Sequence, residues 1–286
     1  MSATLLDLSE KPDLIWLARL IADVQRAAPE ADFMLAGAQA RDVLLMHAYG
    51  IDTRRATEDV DLAFLVANWD GFDLLRTRLI DSGRFAGTTM APYKLRHNGV
   101  GAARVDLIPF AGVEDVRRAI AWPPDGAIVM NVMGFREARN AAISIALPER
   151  ISVMLPPIQA LALLKLSAWK DRRLHFPLGK DAHDIRLLLK YYLEAGNQER
   201  LYSEASHLLE RADFEFEVAG AWLLGNDARM LLEANATSSS TVPFYSELLQ
   251  QENRASTESL LLADMRSPDP AHDLRLLRSF CEGFGV

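Results

Sequence analysis

The sequence predicts a sheet-containing domain of the α/β or α+β class, followed by a helical domain. Up to about residue 150, short apolar runs alternate with amphipathic stretches, a pattern typical of strands interspersed with helices. Beyond that point, apolar residues recur mostly at helical spacing. A chain of 286 residues is long enough for two domains of ordinary size. We therefore expect residues 1–150 to form the first domain and residues 151–286 the second.

The elements of the first domain are predicted from periodicity and turn residues. Leu17, Leu20, Ile21 and Val24 recur on one face of an amphipathic helix over residues 13–28. The other predicted elements follow in chain order: a strand over 32–36, a turn at Gly37, a helix over 39–49, a strand over 59–66, a helix over 69–79, and two or three strands within 85–110. Strands and helices in this order predict a layered domain.

The second domain is predicted to be largely helical. Pro156 and Pro157 precede a helix over 158–173, because proline suits the first turn of a helix. A second helix is predicted over 179–193. The polar run ATSSSTV at 236–242 indicates a loop within the helical region.

Charge is distributed unevenly along the chain. Residues 201–286 hold 6 basic and 14 acidic residues and account for the whole net charge of −8, whereas residues 1–200 hold 25 of each. This acidity argues against a general polyanion-coating protein but allows a local basic groove. One cysteine, Cys281, excludes an internal disulfide framework. Without a signal-peptide pattern or a bilayer-length apolar run, we expect a cytoplasmic protein with no membrane partner.

Two aspartates mark the start of an apolar strand. Asp59 and Asp61 are two residues apart, so their side chains point to the same face of the strand. Two carboxylates on one face repel each other and are costly to desolvate, and a divalent cation removes that cost. The alternative is a pair at a solvated strand edge, which on this motif alone is the better interpretation.

A third aspartate strengthens the metal hypothesis. Asp106 lies in the apolar strand ARVDLIPF at 103–110. Three carboxylates on neighbouring strands are the ligands that hold two metal ions around the phosphates of a nucleotide. The alternative for Asp106 is an exposed strand-end residue or an ion pair with Arg104.

The turn after the strand over 32–36 is a candidate phosphate site. Gly37 permits close approach to the backbone, and the following helix start offers free N–H groups and the positive end of its dipole. Arg41, one turn further on, is within reach of a phosphate. A surface salt bridge with Asp42 or Glu58 is an equally good interpretation of Arg41.

These motifs together resemble a known superfamily. Gly37-Ala38, then Asp59-x-Asp61, then Asp106 is similar to the pattern of polymerase-β-like nucleotidyltransferases: a Gly-Ser or Gly-Gly turn, a DxD strand and a third Asp on a later strand. Ala38 stands where that pattern has Gly or Ser. The run AGAQARDVLL at 36–45 also resembles the opening of the tRNA CCA-adding and poly(A) polymerase branch. The fold implied is α+β: a polymerase-β-like nucleotidyltransferase domain with a mixed sheet flanked by helices, followed by a helical domain.

The helical half narrows the resemblance to one family. Lys165 with Arg172 on one predicted helix, then Asp181 with Asp184 on the next, form K-L-x-A-x-x-x-R followed by K-D-x-x-D-I-x-x-L-L. This arrangement resembles the AbiEii-type toxin family, nucleotidyltransferases of bacterial abortive-infection and toxin–antitoxin systems. From spacing alone, a structural pair between Lys165 and Asp184 is slightly favoured over a catalytic role.

The resemblance implies a function and assigns residues to it. It implies Mg²⁺-dependent transfer of an NMP from an NTP to an RNA 3′ end, with tRNA as acceptor and a cognate antitoxin as partner. Two Mg²⁺ ions are expected, with Mn²⁺ as an alternative. The metal ligands would be Asp59, Asp61 and Asp106, of which Asp106 is also the base; Lys165 and Asp184, from the helical domain, complete the catalytic set; and Gly37, Ala38, Arg41 and Thr57 bind the nucleotide.

Two other functions remain open at this point. One keeps the chemistry and changes the acceptor to a small molecule or a protein. The other is a non-catalytic nucleotide-binding module on the same fold. An RNA acceptor predicts a basic surface made by seven side chains: Arg41, Arg54, Arg55, Lys170, Arg172, Arg173 and Lys180.

Overall fold

The computed structural model describes residues 5–53, 59–88, 91, 93–99, 102–173 and 179–286. The chain divides into two compact units. The first consists of Met1–Gly50 and Arg54–Pro157, and the second of Ile51–Thr53 and Ile158–Val286. Within the described residues, no helix is both long and apolar enough to cross a membrane.

The first unit is built on a mixed sheet. The strands that the described residues form are β1 (Leu5–Asp7), β2 (Asp32–Ala36), β3 (Asp59–Val66), β4 (Phe85–Gly87), β5 (Lys94–His97), β6 (Arg104–Ala111), β7 (Ala119–Ala121), β8 (Val129–Asn131), β9 (Ile143–Leu147) and β10 (Ile151–Leu155). Eight of these described strands make one sheet in the order β1-β9-β10-β2-β3-β6-β5-β4, and β7 and β8 pair separately. The α-helices of this unit in the described residues are α1 (Ile15–Ala27), α2 (Gly37–Asp42), α3 (Trp69–Asp81) and α4 (Phe135–Asn140), and α2 continues as a π-helix over Val43–Ala48.

The two faces of this sheet differ in character. On β3, Val60, Leu62 and Phe64 are buried on one face, while Asp59 and Asp61 lie on the other. His97 of β5 is on the apolar face, where its ring nitrogen lies 2.8 Å from a carboxylate oxygen of Asp23 in α1. Because α1 covers that face and α3 contacts both α1 and β3, the apolar face is the core. The opposite face carries the charged residues, and we call it the polar face.

Register across four central strands aligns the charged residues in rows. Ala36 pairs with Asp61, Asp61 with Asp106, and Asp106 with Lys94, so one row crosses β2, β3, β6 and β5. The next row contains three further charged residues, because Arg104 pairs with both Asp59 and Arg96. Cross-strand partners have their side chains on the same face, so all of these groups belong to the polar face.

The second unit is helical where it is described. Its α-helices there are α5 (Ile158–Arg172), α6 (Lys180–Tyr191), α7 (Gln198–Ser203), α8 (Phe216–Glu233), α9 (Ser238–Ala255), α10 (Leu260–Met265) and α11 (Pro270–Phe284). Helices α8 and α11 pack most extensively, and their core includes Leu224, Leu277 and Phe280. Helix α5 contacts both α6 and α8.

The α+β architecture is confirmed, and two details differ from the sequence prediction. Residues 151–155 form β10, which pairs with β9 and β2. The boundary between the two compact units therefore falls at Pro157 rather than at residue 150. The loop predicted over 236–242 is wrong, because α9 begins at Ser238. The buried residues Thr241, Tyr245 and Leu248 recur at helical spacing, and burial of that face outweighs the low helix propensity of the serines.

Candidate active site

Two of the three predicted metal ligands lie directly opposite each other. Asp61 of β3 and Asp106 of β6 are cross-strand partners in a parallel pair, and Asp59 precedes Asp61 by two residues on the same face. All three are partly exposed, whereas Val60 and Val105 beside them are fully buried on the core face. The alternation of the strands therefore presents the three carboxylates on the polar face, as the sequence pattern predicts.

The turn at Gly37 is fitted to Asp61. Gly37 has a φ of +65°, a conformation that L side chains rarely adopt. A Cβ atom at this position would overlap the carboxylate of Asp61, so the missing side chain makes the room in which that carboxylate lies. Because Gly37 begins α2, the backbone at the helix start lies next to the carboxylate.

Two of the carboxylates are paired with cations that are not among the predicted site residues. Lys94 Nζ lies 3.0 Å and 3.3 Å from the two carboxylate oxygens of Asp106. Burial lowers the pKa of Lys94, but the hydrogen bond and the charge of Asp106 outweigh it and raise the pKa above its ordinary value. Arg104 forms an ion pair with Asp59. The alternation in KLRH at 94–97 puts Lys94 and Arg96 on one face of a strand, and this pattern could have indicated a cationic group at the site.

The carboxylates suit a hard divalent cation by chemistry and by position. Carboxylate oxygens are the ligands that Mg²⁺ and Mn²⁺ prefer, and Asp61 and Asp106 are adjacent on one face. Among the described residues, no three His, Cys, Asp or Glu side chains converge as a ready-made metal site. Asp59 and Asp106 are instead turned towards Arg104 and Lys94.

The remaining predicted nucleotide contacts have different environments. Ala38 follows Gly37 in the first turn of α2. Arg41 is only 1% exposed and its Nε donates to Asp42 at 2.9 Å, so the structure contains the ion pair that was one of the two interpretations. A phosphate contact by Arg41 would need that pair to open, and it stays a prediction. Thr57 lies outside the described residues.

Lys165 and Asp184 are paired within the second unit. Lys165 Nζ lies 2.7 Å from Asp184 Oδ2 and 3.2 Å from Asp181 Oδ1, and Arg172 is 2.9 Å from Asp181. Burial lowers the pKa of Lys165, but the charges of Asp184 and Asp181 outweigh it and the pKa is raised. Lys165 is thus held protonated at neutral pH. The predicted structural pair is present, and the catalytic roles of Lys165 and Asp184 stay predictions.

Among the described residues, three of the predicted basic side chains lie together in the second unit. Arg172, Arg173 and Lys180 line one small cavity of the second unit with Asp181 and Asp264. In the same unit, Lys170 lies over the ring of Phe244. Arg41 is buried in its ion pair, and Arg54 and Arg55 lie outside the described residues. The cluster in the second unit therefore accounts for three of the seven predicted residues.

Comparison with known proteins identifies the family. The model of the nucleotidyl transferase AbiEii toxin family, type IV toxin–antitoxin system, matches residues 19–273. The chain belongs to this family, is a nucleotidyltransferase of the AbiEii toxin type, and the resemblance found in the sequence is confirmed. Nucleotidyltransferases generally use NTP substrates and divalent metal ions, and membership of a toxin–antitoxin family implies an antitoxin.

Solved structures that are similar to this chain include other nucleotidyltransferases. The solution structure of the antibiotic-resistance factor ANT(2'')-Ia matches 68% of this chain and 98% of its own, with 18% identity and a TM-score of 0.36. ANT(2'')-Ia in complex with adenylyl-2''-tobramycin matches 64% and 98%, with 17% identity and a TM-score of 0.36. An antigenic nucleotidyltransferase-like protein from Paracoccidioides brasiliensis matches 69% and 89%, with 16% identity and a TM-score of 0.39. Curated protein sequences give no significant match.

Proposed function

We propose that this nucleotidyltransferase moves an NMP from an NTP to the 3′-hydroxyl of an RNA, with tRNA as the acceptor. The observation that carries the proposal is the register of Asp61 against Asp106, with the Gly37 turn against the carboxylate of Asp61. In this arrangement, carboxylates that suit a divalent cation lie beside a stretch of backbone that a phosphate can approach closely. Membership of a toxin–antitoxin family supports a cognate antitoxin protein as the partner.

Mg²⁺ is the ion that we propose for this site, with two ions per chain and Mn²⁺ as the substitute. Asp59, Asp61 and Asp106 would hold these ions. Binding would require two ion pairs to loosen, Lys94 with Asp106 and Arg104 with Asp59. When bound, the ion polarises the triphosphate and offsets the charge that develops on it. The half-exposed pair of Asp59 with Arg104 is the easier of the two to displace, because exposed pairs contribute little stability.

The protein's own residues carry the transfer in this proposal. The start of α2 at Gly37 and Ala38 binds the triphosphate through backbone N–H groups. Asp106 accepts the proton of the 3′-hydroxyl, the acceptor oxygen bonds to the α-phosphorus, and the bond from that phosphorus to the β-phosphate bridge breaks to release pyrophosphate. The protonated Lys165, oriented by Asp184, supplies positive charge to the triphosphate from the helical unit.

The experiment that tests the proposal replaces Asp61 by Ala. Purified protein is incubated with total RNA, Mg²⁺ and each of the four α-³²P-labelled NTPs in turn. We expect wild-type protein to label RNA with one preferred NTP and Asp61→Ala to label none. Asp73→Ala is the matched control, because Asp73 is an exposed acid on α3 of the same unit. Undiminished RNA labelling by Asp61→Ala, in a variant that unfolds like wild type, would sink the proposal.

A further inference from the structure

The polar face carries three cations beside the three carboxylates. Lys94, Arg96 and Arg104 lie on β5 and β6, and we call them the basic strip. Arg104 and Arg96 are cross-strand partners, and Lys94 and Arg96 are two residues apart on one strand, roughly 6.6–6.8 Å from each other along it. The strip is therefore a compact cationic surface that β-sheet geometry holds in place.

The basic strip lies on one side of the carboxylates and the Gly37 turn on the other. In the row across the sheet, the order is Ala36, Asp61, Asp106 and Lys94, and Gly37 follows Ala36 directly. Neighbouring strands are about 4.8 Å apart, so the row spans about 14 Å. If the triphosphate binds at the Gly37 end, the attacking oxygen must approach from the opposite side, because nucleophile and leaving group are roughly in line. That side is where the basic strip lies.

Charge indicates what kind of acceptor approaches there. Three cations and three aspartates on the two rows cancel. A divalent ion at the aspartates makes the face net positive and frees Lys94 and Arg104 to contact another anion. Arg96 is exposed and, within the described residues, makes no ion pair, so it is available in both states. A cationic small molecule is repelled by such a face, whereas a phosphodiester is attracted.

We propose that Lys94, Arg96 and Arg104 form the acceptor-phosphate site, which binds the RNA backbone next to its 3′-terminal nucleotide. This inference rests on the proposed function and extends it by assigning the acceptor's binding residues. The site contacts phosphates and not base edges, so it binds RNA of different sequences alike. Binding strengthens when a divalent ion is present, because the carboxylates are then neutralised.

The test measures RNA binding without chemistry. Fluorescence anisotropy of a short 5′-fluorescein-labelled single-stranded RNA is followed with wild type, Arg96→Glu and Arg96→Gln. The solution contains Ca²⁺ and the α,β-methylene analogue of the NTP that supports transfer. Arg78→Glu is the matched control, since Arg78 is exposed on α3, a helix of the apolar side of the sheet. Calorimetry of the analogue alone shows whether the nucleotide site is intact in each variant.

We expect Arg96→Glu to weaken RNA binding at least about tenfold, equally for RNAs of different sequence, and Arg96→Gln to have an intermediate effect. For Arg96→Gln, the plot of log affinity against log salt should become less steep by about 0.7, because one phosphate contact is lost. Affinity for the analogue should not change, and Arg78→Glu should behave like wild type. Equal RNA affinity for Arg96→Glu and Arg78→Glu would overturn the site while leaving RNA transfer standing. Wild-type protein that binds no RNA under these conditions would overturn the site and the RNA acceptor together.

Discussion

Asp61 and Gly37 form the most constrained contact in the candidate site. The carboxylate of Asp61 fills the space that a Cβ of Gly37 would need, and Gly37 also has a positive φ. Two separate costs therefore oppose any side chain at residue 37: backbone strain and collision with a residue of the candidate metal site. Gly83 has a similar φ of +71° and open space around it, so a side chain at Gly83 would cause the backbone strain without a collision.

Replacing Gly37 by Ala should destabilise the protein and stop nucleotide transfer. Gly83→Ala should cost only the backbone strain, about 1–2 kcal/mol of unfolding free energy. Gly37→Ala should cost more than that, because the new Cβ displaces the carboxylate of Asp61. Urea unfolding and labelled-NTP transfer of both variants check this. Equal unfolding free energies for the two variants, with transfer retained in Gly37→Ala, would contradict the contact.

At the residue scale, the sequence predicts the carboxylates better than their partners. Asp59, Asp61 and Asp106 interrupt apolar strands, so their position on one face follows from strand alternation alone. The pairing of Lys94 with Asp106 depends on which strands are neighbours and in what register, and a single sequence does not specify that. Arg41 is the opposite case. Its position after the Gly37 turn fits a phosphate ligand, whereas its burial with Asp42 is visible only in the structure.

Among the elements, helices α5 and α6 are joined by a buried ionic cluster. Lys165 on α5 is 7% exposed and Asp184 on α6 is 1% exposed, and Asp181 and Arg172 complete the group. A buried charge that loses its partner is costly because its desolvation is no longer compensated. Removing one member of the cluster while the others stay buried should therefore be destabilising, whatever its part in catalysis.

Replacing Lys165 by Met should destabilise the second unit strongly and change its pH dependence. We expect a loss of about 3–5 kcal/mol of unfolding free energy, because Asp184 is left buried without its cation. The folded-state pKa of Lys165 is raised, so its ionic contribution is complete below about pH 10 and is lost as the pH rises through that folded-state pKa. The stability difference between wild type and Lys165→Met should therefore shrink between pH 8 and pH 11.

Lys170→Met is the control for that measurement. Lys170 is exposed on the same helix and lies over the ring of Phe244, so its loss should cost no more than about 1 kcal/mol. Urea unfolding at both pH values compares the three proteins. A difference between wild type and Lys165→Met that stays constant with pH, or is as small as that of Lys170→Met, would show that the cluster is not a buried ion pair in solution.

The sequence predicts some of the observed elements at their positions and misses others. The strands β2 and β3 and the helices α3, α5 and α6 lie where periodicity predicts them. Strands β1, β7 and β8 have three residues each, too few for a period to be visible. Strand β10 is not predicted, because ISVML at 151–155 is equally compatible with a buried helix.

For the whole molecule, the order of the two units follows from the sequence and the order of the strands does not. The change from mixed to mostly helical periodicity near residue 150 predicts a sheet-containing unit before a helical one. The insertion of β2 between β10 and β3 brings together residues more than a hundred positions apart, and local periodicity contains no information on such pairing.

The segregation of charge has a consequence for the protein in solution. The net charge of −8 comes from residues 201–286, and the pI is about 5.3, so solubility should be lowest near that pH. Glu210, Asp213 and Glu258 are exposed acids in this region. Replacing them by Gln, Asn and Gln should move the solubility minimum to higher pH with little change in unfolding free energy. Light scattering over pH 4.5–8 measures this, and a minimum that does not move would show that other charges control solubility.

The chemical identity of the acceptor group is the central claim, and one measurement tests it directly. Wild-type protein is given α-³²P-labelled NTP, Mg²⁺ and either of two tRNA samples that differ only in their last ribose, one with a 3′-hydroxyl and one with a 3′-deoxy end. We predict that the first tRNA gains label at its 3′ end with release of one pyrophosphate per nucleotide, and that the second gains none. Equal labelling of both tRNAs, or label on protein with neither tRNA modified, would contradict the account.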